Sequence, residues 1–333
     1  MLKVLVIGCG NIAGGFDANI KAGAMPRTHA GAYAAQGQFS IQTCVEPDAD
    51  KRVAFMARWG IPKGYESVEQ LSAATVDAGS SSQFDVISVC SPTQLHYEHV
   101  LQALRLSPRL IFCEKPICND LTQAQDLVQR CNDQGVKLAV NHNRRWDPNV
   151  RQLRDQLKAG QWGQIHTVMG QYNKGVLNNG SHMIDLLQDL MGPMAVIDCG
   201  KPCFDYSTSD PSVPAVLVSE DGVHITLSCG HAGDYSLFEL QFVTQRGVIA
   251  MEDGGLTWRT RLASPSQQFS GYHELSQSQF TAGSYLQTMA NAVENIYRAV
   301  TDGDALASDG ESALRAQLVC QQMLHQSTQP SAR

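Results

Sequence analysis

The sequence has no apolar run of membrane-spanning length, no C-x-x-C pair and no block of basic side chains. The first absence argues against a transmembrane helix, which needs about 20 predominantly apolar residues. The N-terminal run Val4-Leu5-Val6-Ile7 is too short for a secretory signal core and leads straight into a glycine loop. The ten cysteines are scattered, with no zinc-ligand spacing, so no metal is expected. Several lie inside apolar runs, where cysteine behaves as a small hydrophobe. A reducing cytoplasm is the expected setting. With a formal net charge of −7 and no basic cluster, neither nucleic acid nor an anionic membrane is an expected partner. No internal repeat is found, and the polar tail from Ser327 is expected to fray.

What is present fits a folded chain. Hydrophobic residues make up 43% of the sequence, enough for packed cores, and 333 residues are too many for one ordinary core. Two domains are therefore expected, residues 1–145 and 146–333.

Residues 2–7 read as a buried strand, followed at once by Gly8-Cys9-Gly10-Asn11-Ile12-Ala13. This G-x-G-x-x-A pattern after a strand suits a turn that lets the backbone approach a pyrophosphate, with a helix N-terminus supplying amides. Gly8, Gly10, Asn11 and Ile12 are thus candidate cofactor contacts, against the alternative of a plain glycine turn. The next strand ends in Glu46, 36 residues after Gly10, where about 20 is usual for the acid that accepts from a ribose. An insertion from Phe16 to about Thr28 accounts for the excess, and a helix resumes at His29. A carboxylate there disfavours a 2′-phosphate, so NAD is expected and NADP is the alternative. Glu46 as a solvated strand-end acid stays open.

A third buried strand, residues 85–90, closes on Ser91-Pro92-Thr93, with His96 opening the next helix. The fourth, residues 109–113, ends in Glu114-Lys115-Pro116, and ligands of parallel sheets sit just beyond such carboxyl ends. Asp120 begins a helix in capping-box style, and a fifth strand, residues 136–141, runs into Asn143-Arg144-Arg145. Strand and helix alternate throughout, which means a parallel sheet wound by helices.

Beyond about residue 150 the period changes to two. Val223, Ile225, Leu227 and Cys229 alternate with polar residues, as do Phe238, Leu240 and Phe242, and Leu256, Trp258 and Leu262. Such runs, with turns at Asp221-Gly222 and Gly254-Gly255, predict an antiparallel sheet with one covered face. A helix is expected from Ser181 to Leu190, and another carries Leu286, Met289, Val293, Ile296 and Val300. A last helix is expected to start at a Ser308/Glu311 capping box. The fold class is α/β, a parallel sheet wound by helices followed by a domain on an antiparallel sheet. The open face of that sheet suggests a homo-oligomer, a dimer or tetramer.

In this order, the glycine loop, Cys90-Ser91-Pro92-Thr93 with His96, Glu114-Lys115-Pro116, Asn143-Arg144-Arg145 and Asn178-Asn179-Gly180-Ser181-His182-Met183-Ile184-Asp185 resemble the Gfo/Idh/MocA family of glucose–fructose oxidoreductases and inositol dehydrogenases. The specific elements are E-K-P after a strand and G-x-H-x-x-D in the second domain. The resemblance implies an N-terminal Rossmann fold with a C-terminal α+β domain on a large, mostly antiparallel sheet, and an NAD(P)-dependent oxidoreductase acting on a hydroxyl or carbonyl of a sugar, cyclitol or nucleotide-linked sugar. It implies that Lys115 is the family lysine, with a proline after it that is often cis, and that His182 is the family histidine. Many members carry an aspartate four residues before that histidine. Here the position is Asn178, which can hydrogen-bond but cannot carry a proton.

On this reading His182 is the acid–base residue, and Lys115 donates to the reacting oxygen and stabilises alkoxide charge. Ser91, Pro92, Thr93, His96, Glu114 and Lys115 are assigned to the cofactor, and Lys115, Arg145, Lys174, Asn178 and His182 to the substrate. Plainer readings stand beside these. His182 caps or packs its helix. Glu114 forms a structural ion pair. His96 is a capping or solvated histidine. Arg144 or Arg145 braces the fold. Asp185 is structural or orienting rather than an acid–base group. Tyr172, on the strand leading to Lys174, is a further candidate for substrate contact, while Trp146 and Trp162 read as packing. Two other functions are open: a glycosidase that uses NAD transiently, and a non-catalytic dinucleotide-binding regulator.

Overall fold

The computed structural model describes residues 1–21, 23–76 and 84–329. The chain divides into two compact units, Met1–Trp146 with Leu286–Leu314, and Asp147–Tyr285 with Arg315–Arg333.

The first unit is built on six parallel strands. Strand β1 (Leu2–Ile7) is followed by α1 (His29–Gln36), β2 (Phe39–Val45), α2 (Ala49–Trp59), β3 (Lys63–Tyr65) and α3 (Val68–Val76). Then come β4 (Val86–Val89), α4 (His96–Arg105), β5 (Leu110–Cys113), α5 (Leu121–Asp133) and β6 (Lys137–Val140). The sheet order is β3-β2-β1-β4-β5-β6, with every pairing parallel. This is the order of a dinucleotide-binding sheet, in which the chain reverses direction between β1 and β4. All four residues of β4 and of β5 are buried, as expected for strands covered on both faces.

Two expectations for this unit are corrected. No long helix follows the glycine loop directly: Gly14 and Gly15 donate back to Gly10 O, and a single 3-10 turn, Gly15–Asp17, closes the segment. The first α-helix begins only at His29, after the insertion. What brings the chain back is Asp17, a buried carboxylate that accepts from the amides of Arg27 and Thr28 and from Thr28 Oγ1. Thr28 Oγ1 in turn accepts from Gly31 N and caps α1.

The second concerns only the later part of the range 146–333. The helix after the second sheet, α8 (Thr288–Thr301), belongs to the first unit. Its apolar stripe of Met289, Ala292, Val293, Ile296 and Val300 joins a core that includes Val4, Val6, Tyr33 and Trp146. An amphipathic stripe must be buried, but it does not specify the core that buries it.

The second unit starts with α6 (Pro148–Lys158), β7 (Ile165–Tyr172), α7 (Ser181–Met191), β8 (Met194–Cys199) and β9 (Ala215–Ser219). It continues through β10 (His224–Cys229), β11 (Phe238–Thr244), β12 (Gly247–Glu252), β13 (Thr257–Pro265), β14 (His273–Leu275) and β15 (Gln279–Ala282). Helix α8 (Thr288–Thr301) and the final helix α9 (Gly310–Ser327) follow. The nine strands form one sheet in the order β14-β13-β12-β11-β7-β10-β9-β8, with β15 beside β13. All its pairings are antiparallel except β7 with β10. One face carries the core: Val168, Leu227, Leu240, Phe242 and Ile249 pack with Leu153 of α6, with Met183, Ile184 and Leu187 of α7, and with Val319 and Met323 of α9.

The period-two reading holds for β10 and β11. On β13 only Trp258 turns inward, while Leu256 and Leu262 are exposed. The cap of α9 is also shifted by one residue: Asp309 Oδ1 accepts from Ser312 N. Ser308 instead donates to Val140 O, and Glu311 accepts from Asn132. Of the polar tail, residues 330–333 lie outside the described residues.

Candidate active site

In the first unit the candidate residues gather at the carboxyl ends of β1, β2, β4 and β5. Gly8 has a φ of +89°, and a Cβ there would stand 2.7 Å from Ser91 N, so only glycine lets β1 and β4 finish side by side. A Cβ on Gly10 would meet nothing within 4 Å. The loop is therefore open on that side, and a cradle for a pyrophosphate fits this chain. Glu46 ends β2 beside it. Its Oε2 accepts from Cys9 N (2.9 Å) and its Oε1 from Asp48 N (3.2 Å), which ties the carboxylate to the glycine loop.

Glu114 follows β5 and is buried. Its Oε1 accepts from His29 Nε2 at 2.9 Å and from Asn141 Nδ2 at 2.6 Å. Behind His29, Tyr33 Oη lies 2.7 Å from Ser88 Oγ, which is 3.2 Å from His29 Nδ1. Burial alone would raise the Glu114 pKa. The His29 hydrogen bond and charge, the Asn141 amide and the Lys115 ammonium outweigh it and hold the carboxyl below its ordinary value. Glu114 is thus a carboxylate anchored from inside the sheet, immediately before Lys115. The Lys115-Pro116 peptide is cis.

Two further candidates in this unit have partners within the fold. His96 is buried, and both its ring nitrogens face backbone carbonyls, Nδ1 that of Pro116 (2.9 Å) and Nε2 that of Ser91 (2.8 Å). It braces the ends of β4 and β5. Ser91 Oγ is bonded to His99 Nδ1 at 2.8 Å. Burial lowers the pKa of His99. Arg145 is also buried, in the turn Asn143–Trp146, with Nη1 3.5 Å from Ala307 O of the same unit. Trp146 is packing, as expected, with Nε1 donating to Asn295.

In the second unit Lys174, Asn178 and His182 lie on one short path. Strand β7 ends at Tyr172, and Lys174 (φ +68°) and Gly175 (φ +83°) turn the chain through left-handed backbone. A wide π-type helical turn, Gly175–Gly180, then runs straight into α7. Turns of this type recur at functional sites. His182 is the second residue of α7 and is nearly buried, and Asp185 is buried one turn on. Tyr172 is not available to a substrate. It is fully buried, and its hydroxyl donates to Val213 O (2.8 Å) and accepts from Val213 N (3.0 Å). Reading the sequence also missed the loop that holds this path, residues 205–212, whose Asp-Pro-Ser composition signals only a turn.

Residues 2–142 match the profile described as "Oxidoreductase family, NAD-binding Rossmann fold", GFO_IDH_MocA. The match covers the part of the chain built on the six parallel strands. The chain is similar to nicotinamide-dependent oxidoreductases. It is 25% identical over 273 residues to the D-glucoside 3-dehydrogenase of Escherichia coli, covering 77% of this chain and 69% of that one. It is 23% identical to the inositol 2-dehydrogenase of Rhizobium meliloti, covering 82% and 88%. The fold of an NAD-binding oxidoreductase from Klebsiella pneumoniae matches with a TM-score of 0.80 at 16% identity, over 100% of this chain and 97% of that one. No described helix is long and apolar enough to cross a membrane, and no cluster of three or more His, Cys, Asp or Glu among the described residues could hold a metal.

Proposed function

We propose that this enzyme interconverts a secondary hydroxyl and the corresponding carbonyl on a sugar, cyclitol or nucleotide-linked sugar, with NAD as its redox partner. The observation that carries the reading is Lys115 at the carboxyl end of β5, directly after a carboxylate pinned by His29 and Asn141. Residues 8–13 would cradle the pyrophosphate, Glu46 would meet the ribose hydroxyls, and Ser91, Pro92 and Thr93 would border the nicotinamide half. When bound, the nicotinamide supplies the hydride acceptor.

The chain's own residues do the rest. Lys115, an ammonium, donates a hydrogen bond to the reacting oxygen and favours the charge that develops there. His182 takes the hydroxyl proton at its imidazole and returns it in the reverse direction, a role suited to a group of ordinary pKa about 6.5. Asn178 and Lys174 hold neighbouring hydroxyls. Asn178 stands where the resemblance places an aspartate, and it cannot charge-couple to His182.

The ten free thiols support a cytoplasmic location, and exposed Met169 and Leu262 on the second sheet support a homo-oligomer through its uncovered face. The test is a panel of inositols, glycosides, free sugars and nucleotide sugars with NAD⁺, followed at the NADH absorbance. Turnover with one class, reduced at least 100-fold in both Lys115→Ala and His182→Ala, is the expected result. Glycoside cleavage without net NADH would replace this reading with transient oxidation. Bound NAD with no turnover of any kind would replace it with a regulator.

A further inference from the structure

Five consecutive backbone amides precede the helix of His182, and all five are held by one loop. Lys174 N donates to Asp205 Oδ2 (2.9 Å), Gly175 N to Ser212 Oγ (2.9 Å) and Val176 N to Pro211 O (3.0 Å). Leu177 N donates to Asp210 Oδ1 (2.8 Å) and Asn178 N to Asp210 Oδ2 (2.9 Å). The first amides of a helical segment have no partner within it, and a side-chain carboxylate is the strongest neutral-pH acceptor for them. Here the acceptors come from residues 205–212, some 30 residues further along the chain.

The loop is itself braced. Ser212 Oγ donates to Asp205 Oδ1 (2.8 Å), and Ala232 N donates to Asp205 Oδ2 (3.1 Å). Burial would raise the Asp205 pKa, but these bonds and that of Lys174 N hold it below the ordinary carboxylate value. The fit at Asp210 is close: a Cβ on Gly175 would stand 2.3 Å from Asp210 Oδ2. Only a glycine at 175, with its left-handed φ, lets the carboxylate reach the two amides beyond it.

We propose that Asp210 is a positioning residue for catalysis. It bridges the amides of Leu177 and Asn178 and so sets the start of the helix that presents Asn178 and His182. The proposal rests on the catalytic reading of His182 given above. Asp210 carries no proton in the reaction. It removes the slack from a turn that contains two left-handed residues and would otherwise leave its amides to water. Asp205 does the same for Lys174.

The test compares Asp210→Ala, Asp210→Asn and His182→Ala in the full-length protein. Three readouts are used: hydrogen–deuterium exchange, NAD⁺ binding by protein fluorescence, and turnover of the substrate found with the inositol, glycoside and nucleotide-sugar panel. In Asp210→Ala, exchange at residues 174–182 rises at least 10-fold, kcat falls 10- to 100-fold, and the NAD⁺ dissociation constant stays within twofold. Asp210→Asn, which keeps one carbonyl oxygen for one amide, recovers part of kcat. Unchanged exchange at residues 174–182 overturns the proposal, as does a kcat within twofold of wild type in an enzyme that His182→Ala inactivates. Equal losses of kcat and NAD⁺ affinity overturn it in favour of general unfolding. Full activity of His182→Ala sinks the catalytic reading first and the proposal with it.

Discussion

His29 Nε2 donates to Glu114 Oε1 over 2.9 Å in the interior of the first unit, joining the first residue of α1 to the residue that precedes Lys115. The bond connects two parts of the sequence 85 residues apart, and it makes Glu114 a fixed negative charge. Replacing His29 with Ala leaves that buried charge with fewer donors. A cost of about 3 kcal/mol in urea unfolding is expected, on the scale of breaking a buried pair.

Glu114→Gln tests the charge itself. A carboxyl whose pKa is lowered by folding adds stability above its unfolded value, about 4.3, and that contribution is lost as pH falls through the lower folded value. Wild-type protein should therefore exceed Glu114→Gln in urea midpoint at pH 7, with the gap narrowing as the pH drops below about 4. A gap independent of pH would show that shape, not charge, is what matters at this position.

Glu46 holds the amide of Cys9 in the glycine loop. Glu46→Ala removes a hydrogen bond from the loop and a charge that opposes a 2′-phosphate. Affinity for NAD should fall and the NADP-to-NAD preference should rise by about tenfold, equivalent to roughly 1.4 kcal/mol. Titrating both dinucleotides against the variant checks this.

Asp17 closes the insertion by accepting from Arg27 N, Thr28 N and Thr28 Oγ1. Asp17→Ala leaves buried donors unmatched and should cost about 2–3 kcal/mol. Because α1 also carries His29, weaker NAD binding should accompany the loss. Calorimetric melting together with a dinucleotide titration would reveal a variant that loses stability alone.

Tyr172→Phe removes a hydroxyl that bridges Val213 N and O. A destabilisation of about 1–2 kcal/mol with an unchanged KM for substrate is expected. A several-fold rise in KM with full stability would restore Tyr172 as a substrate contact.

What the sequence discloses here follows the range of each interaction. Strands β4 and β5 are legible because covered strands must be apolar throughout, and α7 because its stripe runs uninterrupted from Met183 to Leu190. Lys115 stands out because acid, base and proline follow such a strand. Asp17 and Asp210 do not stand out, and Tyr172 stands out for a substrate rather than for Val213, since each acts on backbone groups that only the folded chain brings near. The partners of His96 are of the same kind. A histidine at a helix start reads as available until two carbonyls are found on its ring.

The return of residues 286–314 to the first unit has a consequence for synthesis. A protein emerges from the ribosome from its N-terminus, and domains generally fold in that order. Here the earliest strands wait for α8, more than 140 residues after β6, before Val4, Val6 and Trp146 are covered. Nascent chains halted near residue 200 should thus stay open to protease in the segment already made, and become resistant only once about residue 314 has cleared the exit tunnel. The part of the enzyme translated first is completed almost last.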